Sequence, residues 1–222
     1  MTRQLAFDLP ARAAWRREDF FVSPGNALAL AALDGWHAWP GGKMVLAGPV
    51  GAGKTHLAHI WADAAKAVII ATSALSNADI PTLATTPVCV EDAETVAGNA
   101  EAEEALFHLH NLLAERQLPL LLTATTPPRD WGLRLADLAS RIQAAPLTRL
   151  DAPDDALLSA VLIKLFADRQ ISVPPNLIPY LITHMDRSFQ AASDLVAALD
   201  ARALAQGRAI TRQLAADLLD QP

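Results

Sequence analysis

One short segment of this chain matches the phosphate-binding loop pattern G-x-x-x-x-G-K-[ST] at every fixed position. The segment reads Gly48, Pro49, Val50, Gly51, Ala52, Gly53, Lys54 and Thr55. Glycines let successive backbone N–H groups turn inward around phosphates, the lysine supplies a positive charge, and the threonine hydroxyl can ligate Mg²⁺. A helix that follows such a loop adds the positive end of its dipole. The pattern therefore predicts a nucleotide site built from a strand, this loop and a helix.

Composition limits the class of protein that this chain can be. The 222 residues are 52% hydrophobic with a formal net charge of −6, which predicts a large core and argues against a broad nucleic-acid surface. No apolar run approaches bilayer-spanning length, the first residues lack a signal-peptide stretch, and the single cysteine, Cys89, excludes an internal disulfide. We therefore expect a cytoplasmic protein with no membrane contact and no direct sequence-specific DNA binding.

Apolar strands alternate with amphipathic helices up to about residue 150, which is typical of an α/β parallel sheet. Strands are predicted at 43–47, 67–71, 87–91, 119–124 and about 145–150, and helices at about 24–38, 54–65, 101–116 and 133–142. Beyond about residue 152 only helical patterns remain, at 157–169, 176–185, 188–205 and 211–219. Asp154 and Thr211 are predicted N-caps there, and Gly207 a C-terminal stop.

The predicted organisation has three parts. An extended tail at 1–15 precedes a P-loop α/β domain at 16–152, and a small all-helical lid follows at 153–222. The α/β domain is expected to contain a parallel five-stranded sheet flanked by helices.

Polar residues at two strand ends complete the predicted nucleotide site. Glu91 and Asp92 follow a buried strand, where a P-loop enzyme needs carboxylates for the Mg²⁺ shell and the attacking water. Thr125 follows the next strand, level with the P-loop. Its hydroxyl can bond the γ-phosphate or simply form a turn before a Pro-Pro break. We assign Thr55 and Glu91 to Mg²⁺ and Asp92 to catalysis.

Arg141 lies at the end of a predicted helix and precedes the last predicted strand. An arginine placed there can reach into a neighbouring subunit's site as an arginine finger, which stabilises the transition-state charge of phosphoryl transfer. The same side chain can instead satisfy the carbonyl groups at its own helix end. The residues alone leave both interpretations open.

The order of these parts resembles the AAA+ ATPases, and within them the DnaA branch. The resemblance covers about residues 16–220 and rests on the P-loop and on the segments 17–26, 122–128 and 138–142. It implies bound ADP or ATP with Mg²⁺, and Arg141 as a catalytic finger acting in trans. It also implies further nucleotide-binding residues, which are Phe20, Phe21, Val22, Asn26, His56, Thr125 as sensor 1 and Arg187 as sensor 2.

The amino-terminal tail carries a second resemblance. Gln4, Leu5, Phe7 and Leu9 resemble the Q-L-x-L-x-L peptides that dock on the bacterial sliding clamp, with a glutamine for a pocket rim and three apolar anchors. DnaA initiators continue beyond the lid into a DNA-binding domain, whereas this sequence stops after the lid. The combination resembles the Hda-type regulatory inactivators of DnaA. This resemblance implies a protein that carries ADP, rides on the DNA polymerase sliding clamp and presents its finger to ATP held by DnaA.

Departures from the family pattern shape the remaining expectations. The acidic pair is Glu91-Asp92 rather than Asp then Glu, so the carboxylate meant for the attacking water is one methylene shorter. We therefore expect weak or absent intrinsic ATP hydrolysis. Thr125 stands where DnaA usually has an acid, and Asp137 where it has a basic residue.

Other functions stay open at this point. An AAA+ helicase loader would need single-stranded DNA and a helicase partner, and in an autonomous P-loop ATPase or kinase Arg141 would be structural. The sequence also leaves open a homodimer formed through the lid helices or the tails.

Overall fold

The computed structural model describes residues 15–219 as a parallel sheet domain followed by a helical lid. The sheet has the strand order β2-β3-β4-β1-β5, in which β1 is Lys43–Ala47, β2 is Val68–Ala71, β3 is Val88–Glu91, β4 is Leu120–Ala124 and β5 is Leu147–Arg149. Every residue of β1 and β4 is buried, because helices cover both faces of the sheet. Ala47 pairs with Ala124, so β1 and β4 end level at one edge.

The helices follow in two groups. Those of the sheet domain are α1 at Pro24–Asp34, α2 at Lys54–Ala65, α3 at Thr72–Leu75, α4 at Ile80–Leu83, α5 at Ala100–Glu115 and α6 at Ala136–Ala144. Those of the lid are α7 at Asp155–Asp168, α8 at Leu177–His184, α9 at Phe189–Gln206 and α10 at Arg212–Leu219. Between residues 15 and 219, no helix is both long enough and apolar enough to cross a bilayer.

Local signals in the sequence set the ends of the lid helices. Asp154 caps α7 by accepting a hydrogen bond from the Leu157 N–H at 2.7 Å, and the Thr211 hydroxyl accepts one from the Leu214 N–H at 3.3 Å. Gly207 ends α9 with a left-handed φ of 60°. These three predictions are confirmed, and so is the fold class of a five-stranded parallel sheet with a helical lid.

Some predicted boundaries are wrong. The helix predicted at 24–38 ends at Asp34, where Gly35 breaks it, and a short 3₁₀ turn at Trp36–Ala38 follows. The last strand is only Leu147–Arg149 rather than about 145–150. The helices α3 and α4 were not predicted, because four residues are too few to show a helical period.

Candidate nucleotide site

The P-loop connects the end of β1 to the start of α2 at the carboxyl edge of the sheet. Gly51 and Gly53 have φ angles of 73° and 98°, a backbone region that residues other than glycine rarely adopt. The Gly48 N–H donates to the Ala124 carbonyl oxygen at 3.1 Å, and a Cβ on Gly48 would lie 2.7 Å from the Leu150 carbonyl oxygen. The unpaired N–H groups and dipole of α2 begin directly after the loop. The backbone therefore forms an anion cradle that only glycine permits.

Lys54 is folded back onto this loop. Its Nζ donates to the carbonyl oxygens of Gly48 at 2.8 Å and Pro49 at 3.0 Å, and the residue is 8% exposed. Burial lowers the pKa of Lys54, and nearby carboxylates oppose that shift. A phosphate group is a stronger acceptor for an ammonium group than a neutral carbonyl. The lysine is therefore in position to exchange its two carbonyl partners for a phosphate.

The end of β3 brings carboxylates to the same edge of the sheet. Asp92, Glu94 and Glu91 each act to raise the pKa of Lys54, which places all three near its ammonium group. Asp92 has an exposed side chain and a left-handed φ of 52°, and its N–H donates to Thr123 Oγ1 at 3.2 Å. One carboxylate oxygen of Glu91 and one of Glu94 are buried without a hydrogen-bond partner.

The Glu91 carboxylate fits a divalent cation. Mg²⁺ prefers oxygen ligands and in nucleotide sites usually takes one or two from the protein and the rest from phosphates and water. Thr55, the other predicted ligand, is exposed in the first turn of α2. In the part of the chain that is described, no group of three or more His, Cys, Asp or Glu residues forms a metal site by itself. The residues therefore suit a Mg²⁺ ion that arrives with a nucleotide.

Glu94 is a site residue that was not predicted from the sequence. Its Oε1 accepts hydrogen bonds from both the N–H and the Oγ1 of Thr125, each at 2.6 Å. The predicted sensor threonine is thus bound to a carboxylate rather than open to a γ-phosphate. Glu94 lies two positions beyond Asp92, so a third acid in that run was the available signal.

The lid meets the P-loop through the start of α9. The Phe189 N–H donates to the Gly51 carbonyl oxygen at 3.0 Å, and a Cβ on Gly51 would collide with Ser188. A Cβ on Gly53 would lie 3.1 Å from the Phe189 ring and 3.9 Å from the Phe20 ring. Phe189 was not predicted either, because only the folding of the lid over the sheet brings it to the loop.

The segment before α1 covers the first turn of α2. His56 Nε2 lies 3.0 Å from the Arg16 carbonyl oxygen, and the His56 ring meets the Phe20 ring edge-on at 5.2 Å between centroids. Burial lowers the pKa of His56. Asp19 forms an ion pair with Lys164 of α7 at 3.1 Å, which ties the segment to the lid. Of the nucleotide-binding residues that the resemblance implies, Phe20 and His56 therefore lie together beside the P-loop.

The nucleotide-binding residues that the resemblance implies between Phe20 and α2 contact the local backbone or face solvent. The Asn26 Nδ2 donates to the Phe21 carbonyl oxygen at 2.8 Å, and its Oδ1 accepts from the Ser23 N–H at 2.8 Å. Asn26 therefore caps α1 and has both ends of its amide engaged. The Phe21 and Val22 residues are 37% and 60% exposed.

The predicted sensor 2 residue contacts another part of the lid. Arg187 Nη2 lies 2.6 Å from Asp155 Oδ1 at the start of α7, and the Arg187 side chain is 53% exposed. In this conformation Arg187 is engaged by that carboxylate and not by the phosphate-binding loop.

Arg141 lies on α6 with an exposed side chain. Its guanidinium carbon is 5.4 Å from the centroid of the Phe107 ring. It is also near enough to His110 to lower the pKa of that residue, as does Lys43. Lys43 begins β1 and the P-loop follows the other end of that strand, roughly 13 Å away at the usual rise per residue. Arg141 also lies in the last turn of α6, which leads into the start of β5, and β5 runs parallel to β1, so Arg141 lies toward the edge of the sheet opposite its own P-loop.

The predicted clamp-binding residues Gln4, Leu5, Phe7 and Leu9 lie outside the described residues. Their role stays a prediction from the sequence.

Comparison with known proteins finds similarity to DnaA replication initiators in both sequence and fold. No protein-family model matches the chain. The chain is similar to the chromosomal replication initiator protein DnaA of Thermus thermophilus. The alignment is 225 positions long with 25% identity, and it covers 91% of this chain and 52% of that protein. It thus spans about half the length of the curated relatives it matches.

Solved structures agree on the fold. Domain III of the Thermotoga maritima replication initiation protein DnaA matches with a TM-score of 0.78 at 18% identity, covering 96% of this chain and 98% of that one. AMPPCP-bound DnaA from Aquifex aeolicus matches with a TM-score of 0.70 at 17% identity, covering 83% of this chain and 64% of that one. The described residues therefore share the fold of these DnaA structures.

Proposed function

We propose that this DnaA-like AAA+ chain is a nucleotide-controlled regulator of replication initiation. In this proposal it docks on the sliding clamp and stimulates ATP hydrolysis by DnaA through Arg141. The observation that carries the proposal is the position of Arg141, exposed in the last turn of α6 and toward the sheet edge opposite the chain's own P-loop. An arginine so placed is free to serve a partner's active site.

The chain's own nucleotide acts as a switch in this proposal. The P-loop geometry, together with the similarity of the chain's fold to a DnaA structure with bound AMPPCP, supports binding of ADP or ATP. Lys54 would hold the phosphates, and Thr55 and Glu91 would hold Mg²⁺, which neutralises phosphate charge when bound. Asp92 stays the proposed catalytic carboxylate, with hydrolysis expected to be weak. Its exposed side chain and the engagement of Thr125 by Glu94 support that expectation.

Partner recognition rests on the sequence pattern of the tail. Gln4, Leu5, Phe7 and Leu9 are the proposed anchors on the clamp, and the lid helices or tails are available for a homodimer. A cytoplasmic location, where the clamp and DnaA act, belongs to the same proposal.

The finger is tested by replacing Arg141. The stimulated rate of ATP hydrolysis by DnaA on a DNA-loaded clamp is measured with wild type, Arg141→Ala and the matched control Arg208→Ala. Arg208 is also exposed but lies in the lid. We expect Arg141→Ala to lower the stimulated rate by about a hundredfold or more, because arginine fingers contribute on the order of 10³-fold or more to rate. Arg208→Ala should leave the stimulated rate at the wild-type level.

Equal rates with Arg141→Ala and wild type would rule out the finger. Turnover above about 1 per second by the isolated chain would instead favour an autonomous ATPase. Tight binding to single-stranded DNA and to a helicase would favour a loader.

A further inference from the structure

The helix that carries Arg141 has little of its own to fix its direction. α6 is 9 residues long, and isolated helices of that length are marginal in water. Its N-cap residue, Leu135, makes no side-chain capping hydrogen bond, and of its residues only Leu138 and Ile142 are buried. The direction of α6, and with it the aim of Arg141, therefore depends on neighbouring elements.

Glu103 of α5 holds the start of α6. The residue is 2% exposed, and its Oε2 accepts hydrogen bonds from the N–H groups of Arg134 at 2.9 Å and Leu135 at 2.7 Å. Its Oε1 accepts a third from the Gly98 N–H at 3.0 Å. Hydrogen bonds to an ionised carboxylate are roughly twice as strong as neutral ones. One buried side chain thus binds three backbone N–H groups and fixes the chain where it enters α6.

Phe107, one turn further along α5, contacts the other end of the same helix. Residues four apart lie on one face of a helix, so Glu103 and Phe107 both face α6. The guanidinium carbon of Arg141 is 5.4 Å from the Phe107 ring centroid, within cation–π range. His110 continues this face; burial and the charges of Lys43 and Arg141 lower its pKa to about 4, so it is neutral beside the guanidinium at physiological pH.

We propose that Glu103 and Phe107 are positioning residues that form a brace on α5. Glu103 sets the direction of α6, and Phe107 holds the guanidinium of Arg141 extended over its ring, so that the finger is ordered before a partner arrives. This inference rests on the proposed function of Arg141. In this proposal, the two brace residues contact neither the nucleotide of this chain nor that of DnaA, and they act only through α6.

The test measures the stimulated hydrolysis of ATP by DnaA with three pairs of proteins. Phe107→Leu removes the aromatic face and keeps apolar volume. Phe107→Tyr keeps the ring and should retain the wild-type stimulated rate. Glu103→Gln removes the charge and one acceptor, with Glu104→Gln, on the exposed neighbour, as its control. Arg141→Ala against wild type reports on the finger itself. Amide hydrogen exchange of residues 134–143 is measured on the same proteins.

We expect Phe107→Leu and Glu103→Gln each to lower the maximal stimulated rate about threefold to thirtyfold, the range of an ordinary cation–π or charged contact. The chain concentration for half-maximal stimulation and the affinity for ADP should stay within about twofold. Glu103→Gln should also speed exchange in 134–143, whereas Phe107→Tyr and Glu104→Gln should match wild type.

Three outcomes would overturn the brace. If Arg141→Ala loses stimulation but Phe107→Leu and Glu103→Gln do not, the finger stands and the brace is wrong. If Phe107→Leu weakens ADP binding, or raises the chain concentration for half-maximal stimulation, by the same factor as it lowers the rate, then Phe107 supports folding in general and does not position Arg141. If Arg141→Ala is itself without effect, the proposed function fails and the brace with it. Should Glu103→Gln fail to fold, the Phe107 pair decides.

Discussion

At the scale of single residues, the site differs from its sequence pattern most clearly at Glu94. This carboxylate binds both donors of Thr125 and leaves one buried oxygen without a partner. A negative charge at that place opposes a γ-phosphate but leaves a diphosphate less affected, because like charges repel most strongly at short range. Glu94 therefore bears on which nucleotide the P-loop holds.

Glu94→Gln keeps an oxygen that can accept from Thr125 and removes the charge. We expect the affinity for ATP relative to ADP to rise about tenfold, equivalent to about 1.4 kcal/mol, because the repulsion of the γ-phosphate is lost. Fluorescence titration with both nucleotides measures the ratio, and Glu101→Gln, exposed at the start of α5, is the control. An unchanged ratio would mean that Glu94 has no part in nucleotide selection.

His110 gives the chain a pH-dependent stability. Its folded pKa of about 4 is below the ordinary value of 6.5, chiefly because of burial, so the unfolded chain binds more protons between these values. The stabilisation is complete above pH 6.5 and is lost as the pH falls toward 4. In urea denaturation, wild type should lose stability relative to His110→Leu between pH 7 and pH 5. A constant difference between the two proteins over that range would contradict this assignment.

At the scale of elements, the contact between the P-loop and α9 joins the lid to the nucleotide site. The Phe189 N–H bonds the Gly51 carbonyl oxygen, and Ser188 fills the space where a Gly51 Cβ would be. A shift of the loop backbone at Gly51 would therefore move the start of α9, and we predict that phosphate binding at the loop is coupled to the position of the lid.

Gly51→Ala and Gly132→Ala separate this contact from backbone strain. The two glycines have nearly equal φ angles of 73° and 72°, but a Cβ on Gly132 meets nothing within 4 Å. Both variants should lose about 1 kcal/mol of unfolding free energy from the positive φ. Gly51→Ala should lose about 1 kcal/mol more and bind ADP at least about tenfold more weakly, because α9 is displaced. If the two variants lose the same unfolding free energy and the same ADP affinity, the contact between Gly51 and α9 does not couple the lid to the P-loop.

Much of the fold was predictable at this scale because it follows local pattern. The apolar runs predicted β1 to β4 to within about a residue, and the P-loop motif predicted the turn from β1 into α2. Glu94, Phe189 and Glu103 were not predicted, because their contacts join segments far apart in the chain. An acid at position 103 looks like any exposed helical residue until α6 packs against it.

At the scale of the whole molecule, the two groups of candidate functional residues lie toward opposite edges of one sheet. The carboxyl edge holds the P-loop, the acidic strand end and the lid contact, while Arg141 lies toward the opposite edge. Glu103 bonds both the loop after the acidic residues, at Gly98, and the entry to α6. In the proposed function, the nucleotide bound to this chain controls its shape, and the hydrolysis that matters occurs in DnaA.

The most direct measurement asks which bound nucleotide is hydrolysed. Labelled ATP is first bound to DnaA, and this chain is then added with unlabelled ADP on DNA-loaded clamp under single-turnover conditions. We expect the label to become ADP while still bound to DnaA, and Arg141→Ala to prevent this conversion. Label that stays ATP on DnaA, or converts equally fast with Arg141→Ala, would contradict the proposed function.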